Sequence, residues 1–407
     1  MTVHARRTTG FLRLAGGAAL SVLLLSGCAS YRLDSARNTF YQGRFAQADT
    51  DLKEEVADGK DRLLVLMERG TIRQARHAWK ESTRDFLDAA AHLDQLPALS
   101  VSKDTASLVI NDSVQDFSGA PYERTLLHAF TAKNYLAQGQ WDDAGVEARL
   151  IIRSLLPEMK GDYPEDAYSR YMAGFCLELT GDPSNAALQY RRAGALVRNV
   201  SINETTGRLS GIDTNGASVS ADPPSTERPC ELTCFVLGGK TLGGHRVMAN
   251  AWTGAPPVYA EILHKGRTLG RSYTLTDTVD LAFTTDQMET ARKAVKTIAR
   301  VAIKEGIAAG VGKDNDALCE LVRFVLIQLL EEPDVRRWET LPRWLGVARV
   351  PCPADLREFD VVFKSRYGTT LRTVHVTSPI ARHGSVFFSF CRDLVPAPEV
   401  APASVSP

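Results

Sequence analysis

The sequence predicts an α+β chain: an N-terminal helical-repeat domain followed by an antiparallel β domain that carries an inserted helical pair. Three observations predict it. From Tyr31 to about Arg198, apolar residues recur at spacings of three and four. Within that stretch, Gly-aromatic turns with nearly the same local sequence return several times. From 230 onward, short β-branched and aromatic runs alternate with turn residues, and two long apolar helical stretches interrupt them.

The N-terminus reads as an export signal. Arg6, Arg7 and Arg13 precede an apolar run from Leu14 to Leu25, too short to span a bilayer as a mature helix. The run ends in Leu25-Ser26-Gly27-Cys28, which resembles the bacterial lipobox. That resemblance implies cleavage after residue 27 and lipidation of Cys28, with two or more acyl chains giving stable anchoring. No Asp follows the cysteine, so the expected location is the outer membrane, periplasmic side, lipid-anchored. The competing reading of Cys28 is an ordinary cysteine behind a signal peptide.

The helical domain is expected over 28–198. Its turns read Tyr41-Gln42-Gly43-Arg44-Phe45, Leu136-Ala137-Gln138-Gly139-Gln140-Trp141 and Leu179-Thr180-Gly181-Asp182-Pro183, with a weaker copy around Trp79 and Ser82. Phe45 and Trp79 are 34 residues apart, the period of a tetratricopeptide repeat (TPR), so the domain is TPR-like. The glycines suit a left-handed helix end. Small Ala48, Ser82, Ala144 and Ala186 let the second helix of each hairpin approach the first. Such stacks present a concave surface to protein partners. A helical bundle with chance glycine turns is the alternative.

Residues 199–229, rich in Ser, Thr, Gly, Asp and Pro, are expected to form a linker or mobile loop. The α+β domain follows over 230–393. Strands are expected at 232–237, 258–263, 273–283, 345–350, 359–364, 370–376 and 386–390. The inserted helices are expected at 285–309 and 317–330. Residues 394–407 have the composition of a disordered tail.

Formal charge is zero, with 48 basic and 48 acidic side chains, which argues against general nucleic-acid binding. Apart from Cys28, the cysteines are Cys176, Cys230, Cys234, Cys319, Cys352 and Cys391, and sequence does not choose among their many pairings. In a strand, Cys230 and Cys234 would share a face. Gly239-Lys240-Thr241 ends like a phosphate loop, but Cys234 stands where its first glycine belongs. The histidines have no metal spacing, and no nucleophile elbow occurs. The sequence therefore calls for no cofactor, no metal and no catalytic residue.

Arg292, Lys296, Arg300 and Lys304 lie four apart and make a basic stripe. The stripe has two readings: a site for anionic lipid or a glycan, or a solvated face over a core face.

Three motifs together resemble one family. They are Pro121-Tyr122-Glu123-Arg124-Thr125-Leu126-Leu127-His128 running on to Asn134-Tyr135-Leu136, then Val146-Glu147-Ala148-Arg149, then Asp334-Val335-Arg336-Arg337-Trp338-Glu339-Thr340-Leu341-Pro342. They are similar to motifs of a poorly characterised family of tetratricopeptide-containing conserved lipoproteins of Gram-negative bacteria. The resemblance implies a cell-envelope role and no particular activity. It makes Tyr122, Glu123, Asn134, Glu147 and Arg149 candidates for contact with an envelope protein of cell-wall synthesis or outer-membrane assembly. The motif residues also have structural readings: Tyr122 and Glu123 suit a helix start, Glu147 and Arg149 suit ion pairs, and Trp338 with Leu341-Pro342 suits a plug of the second inserted helix onto the β domain.

Overall fold

The computed structural model describes residues 32–52, 59–96, 116–212, 218–219, 230–241, 259–291, 336–365 and 367–397. Cys28, Cys319 and the whole basic stripe from Arg292 to Lys304 lie outside the described residues. So does the second expected inserted helix.

The chain is α+β. Its first half consists of helical hairpins: α1 (32–41) with α2 (Phe45–Asp51), α3 (Arg62–Ala75) with α4 (Trp79–Gln95), α5 (Pro121–Ala137) with α6 (Trp141–Ser154), and α8 (Ala167–Leu179) with α9 (Pro183–Leu196). A short α7 (Pro157–Lys160) lies between the last two hairpins.

The four hairpin turns are built alike. A residue with positive φ closes the first helix: Gly43, His77, Gly139 and Gly181, between 63° and 79°. The amide of the following residue reaches five residues back, from Arg44 to Thr39, Ala78 to Arg73, Gln140 to Tyr135 and Asp182 to Leu177. This pairing satisfies carbonyls that a helix end leaves open. The weaker copy thus differs by carrying His77 where the others carry glycine, and its ring stacks on Trp79. Ala48, Ser82, Ala144 and Ala186 are all buried, as are Leu52, Phe86, Ala148 and Tyr190 one turn on.

Strands follow. β1 (Val200–Ile202), β2 (Leu209–Ile212) and β3 (Ser218–Val219) form a small sheet. Residues 200–212 are therefore not a linker, because Val200, Ile202 and Leu209 are buried against the helical core.

A five-stranded sheet runs β11-β12-β4-β8-β7, from Ile380–His383, Val386–Arg392, Cys230–Gly238, Trp344–Cys352 and Tyr273–Asp277. A four-stranded sheet runs β10-β9-β5-β6, from Thr370–Val376, Phe359–Lys364, Tyr259–His264 and Arg267–Arg271. The β region is not wholly antiparallel, since β12 pairs with β4 in parallel. The expected strand 273–283 ends at Asp277, and a helix α10 occupies 278–291. Val279 donates its amide to the Asp277 side chain there, and Val279 and Leu281 are buried.

Period-two alternation divides the five-stranded sheet between two cores. On one face, Cys230, Leu232, Cys234 and Val236 of β4 pack with Ala260, Ile262, Val361 and Phe363 of the other sheet. On the opposite face, Phe235 and Leu237 of β4, Val347 of β8 and Phe388 and Phe390 of β12 enter one cluster with the helices. The layers are thus helices, sheet, sheet. The helical and β regions share a core rather than standing apart.

Cys230 and Cys234 do share a face, the one between the sheets. Cys176 and Cys234 are free and buried, and burial pushes both thiols well up. Such thiols are unreactive. Of the expected tail, 394–397 is held, with the Ala397 amide on the Gly43 carbonyl. Among the described residues, no helix is long and apolar enough to cross a membrane.

Candidate functional site

Of the first helices of the hairpins, α5 and α8 pack on the five-stranded sheet, α1 meets Arg392 at the end of β12, and α3 faces the segment just before β8. That segment is wedged among the hairpins at Trp338. Its indole is 1% exposed, with ring centroids 5.8 Å from Phe86 and 5.3 Å from Phe130. The indole Nε1 donates to Thr71 Oγ1 at 2.9 Å. Gly70 makes room, because a Cβ there would lie 2.3 Å from the Phe86 ring.

The helices grip the main chain of this segment. Trp338 donates its amide to Glu123 Oε1, and Glu339 donates its own to Glu68 Oε1, both at 2.8 Å. Thr340 donates its amide to Glu68 Oε2 at 3.0 Å. Arg37 Nη2 donates to the Arg337 carbonyl at 2.7 Å, and the Tyr41 hydroxyl donates to the Glu339 carbonyl at 2.6 Å. Arg37 Nε also donates to Glu68 at 2.8 Å. Each oxygen of the buried Glu68 and Glu123 carboxylates accepts at least one hydrogen bond, as burial requires. Trp338 therefore plugs the segment onto the helical hairpins; the second inserted helix, which it was expected to hold, lies outside the described residues.

The motif residues are placed as follows. Tyr122 is buried beside Arg337, and burial first, then the Glu123 charge, drives its hydroxyl pKa well up. Glu123 also accepts the Ala120 amide at the start of α5, 2.8 Å away. Burial raises its pKa, opposed by the Trp338 and Ala120 amides. Asn134 accepts from Gln74 Nε2 at 2.7 Å and donates to Ser82 Oγ at 2.8 Å, which locks α3, α4 and α5 together. Glu147 is buried and hydrogen-bonds His128 Nδ1 at 2.8 Å. Arg149 alone among the five is exposed, and it donates to its own helix at Gly145. Tyr122, Glu123 and Asn134 thus gather on the α5 side facing Trp338 and α3, while Glu147 and Arg149 sit on α6.

Sequence reasoning missed Arg37, Glu68, Thr71 and Lys133. Their signal was a charged or hydroxyl residue at a position that the helical period assigns to the apolar face. It also missed Arg349, whose guanidinium binds Glu178 at 2.6 Å, Glu231 at 2.7 Å and the Tyr190 hydroxyl at 3.2 Å. This group welds β8 to the α8–α9 hairpin.

Among the described residues, no group of three or more His, Cys, Asp or Glu side chains is placed to hold a metal ion. What the site does chemically is hold the main chain of a turn at residues 338–341 and an aromatic anchor. No protein-family model matches the chain, and no curated protein matches it either.

Proposed function

We propose that this chain is a lipid-anchored envelope protein, on the periplasmic side of the outer membrane, acting as a non-catalytic protein-interaction scaffold. In this reading its hairpins are degenerate tetratricopeptide repeats. The observation that carries it is the fourfold recurrence of one turn, with the same hydrogen bond and the same buried small residue behind it. Repeated hairpins of this kind stack into extended binding surfaces. The lipobox-like Leu25-Ser26-Gly27-Cys28 supplies the anchor.

The geometry shifts where a partner would dock. The first helices, α1, α3, α5 and α8, are met by the chain's own sheet or by the Trp338 segment. The outer faces of the second helices remain free among the described residues, with Leu87 on α4, Val146 and Arg149 on α6 and Leu196 on α9 exposed. The partner, an envelope protein of cell-wall synthesis or outer-membrane assembly, meets that outer side.

A photoreactive residue at position 149 in the full chain tests this in intact cells, alongside a Cys28→Ala version. The expected result is one cross-linked envelope protein, captured by the anchored form and lost with Cys28→Ala. Cross-linking indifferent to Cys28 and spread over many proteins overturns the reading.

A further inference from the structure

Lys133, on α5, is completely buried, and among the described residues its Nζ has no hydrogen-bond partner. The amine lies 3.2 Å from the Phe130 ring centroid and 5.3 Å from that of Phe390. Arg392 follows Phe390 by two residues on β12, hence on the same face. Its Nε and Nη2 are also buried and unpartnered. Its guanidinium covers the rings of Phe40 and Tyr41, at 4.8 and 6.0 Å. Two cations thus project from opposite layers, helix and sheet, into one aromatic-walled region.

Carboxylates do lie nearby, but none of them bonds Lys133 Nζ or the Nε and Nη2 of Arg392. Glu68 takes Arg37 and the amides of Glu339 and Thr340. Asp393 accepts the Gly239 amide at 2.7 Å. Their charges and the Tyr41 hydroxyl act on Arg392, whereas Lys133 meets only burial and the Arg392 charge, both of which push its amine down. A ring face offsets only part of an ammonium's lost hydration. The arrangement is poor for an isolated protein interior and well suited to one negatively charged guest.

We propose that Lys133 Nζ and the Arg392 guanidinium bind a small oxyanion, a phosphate or carboxylate group, between α5, α1 and the end of β12. A bound anion's charge favours the protonated amine; the ammonium then offers three N–H donors and the guanidinium a planar fork, which together complement an oxyanion's several lone pairs. The low-polarity rings around them strengthen each charge-assisted bond. Arg392, Asp393 and Leu394 are only partly covered, so the site borders the surface where the chain leaves β12. This inference does not depend on the lipid anchor or on any protein partner.

The test titrates the full chain with inorganic phosphate, and separately with acetate, against sodium chloride at matched ionic strength. Heat of binding and the unfolding midpoint are both read. Saturable binding of phosphate or acetate is expected, identifying the guest as a phosphate or a carboxylate. Lys133→Met is expected to weaken it at least tenfold while remaining folded, since an apolar side chain suits that site. Arg392→Gln gives a second, independent loss, and Lys80→Met, at an exposed position on α4, leaves binding unchanged. No saturable binding of either anion overturns the proposal, as does equal binding by the wild type and Lys133→Met.

Discussion

On helix α5 the fold treats a buried acid and a buried base, Glu123 and Lys133, in opposite ways. Glu123, in its first turn, accepts the amides of Ala120 and Trp338. Lys133, ten residues or about 15 Å along the same helix, has two aromatic rings and no acceptor. The first end is a finished joint. Its polar atoms are paired with main chain that a carboxylate recognises without regard to side-chain identity. The second end has donors in excess. The difference teaches that burial alone does not label a charged residue as structural; the state of its partners does.

The comparison breaks first at Trp338. Trp338→Ala removes the ring between Phe86 and Phe130 and is expected to cost about 3–5 kcal/mol in urea-induced unfolding. A loss below about 1 kcal/mol, within the range of ordinary surface substitutions, would mean that the joint does not hold the layers together. Next comes Arg349→Met, which leaves Glu178 and Glu231 without their shared cation. Glu178 is one-quarter exposed, so the expected cost is about 3 kcal/mol, at the low end for breaking a buried pair. An unchanged midpoint would show that the polar weld between β8 and α8–α9 contributes nothing net.

Glu123→Gln sharpens the comparison. An amide supplies one acceptor oxygen where two amides need acceptors, for an expected loss of about 1 kcal/mol near neutral pH. The variant also changes the pH profile. Burial holds the Glu123 carboxyl above its ordinary range in the folded chain. The folded state therefore binds that proton more tightly than the unfolded state, a stabilising contribution present at low pH and lost as pH rises through the folded pKa. Denaturation across pH should show a flatter decline above the ordinary carboxylate range in Glu123→Gln. A parallel curve would assign the decline to other carboxylates. Smallest is Gly139→Ala, where the positive φ of 71° penalises a Cβ by about 1 kcal/mol. His77→Gly at the equivalent turn should change stability in the opposite direction, and thermal unfolding of the two variants checks whether the turns are equivalent.

The hairpin turns were legible because their chemistry is local. Gly43, Gly139 and Gly181 declare the left-handed residue, and Ala48, Ala144 and Ala186 declare the close approach. The fourth copy was legible only more weakly, from Trp79 and Ser82, since nothing in His77 announces positive φ. The longer strands were legible from β-branched runs. The short β6 and β11 were not, because Arg267–Arg271 and Ile380–His383 each hold one β-branched residue and are partly exposed. The parallel pairing of β4 with β12 was also hidden, since alternation in each strand reads the same in either direction.

For the site, motif likeness singled out Tyr122, Glu123 and Asn134 without telling which way they face. A polar residue on a helix has one sequence signature whether it meets solvent, a neighbouring helix or a buried amide. Glu123 meets an amide 215 residues away, and no local pattern encodes such a contact. By itself, the sequence determined the α+β class, the repeated turns and the alternating faces of the strands, all of them set by backbone preference and periodicity over a few residues. Only the tertiary structure decided that the sheet packs on α5 and α8, that Trp338 seats among the hairpins and that Lys133 is left without an acceptor. Those outcomes depend on which distant surfaces exclude water from each other.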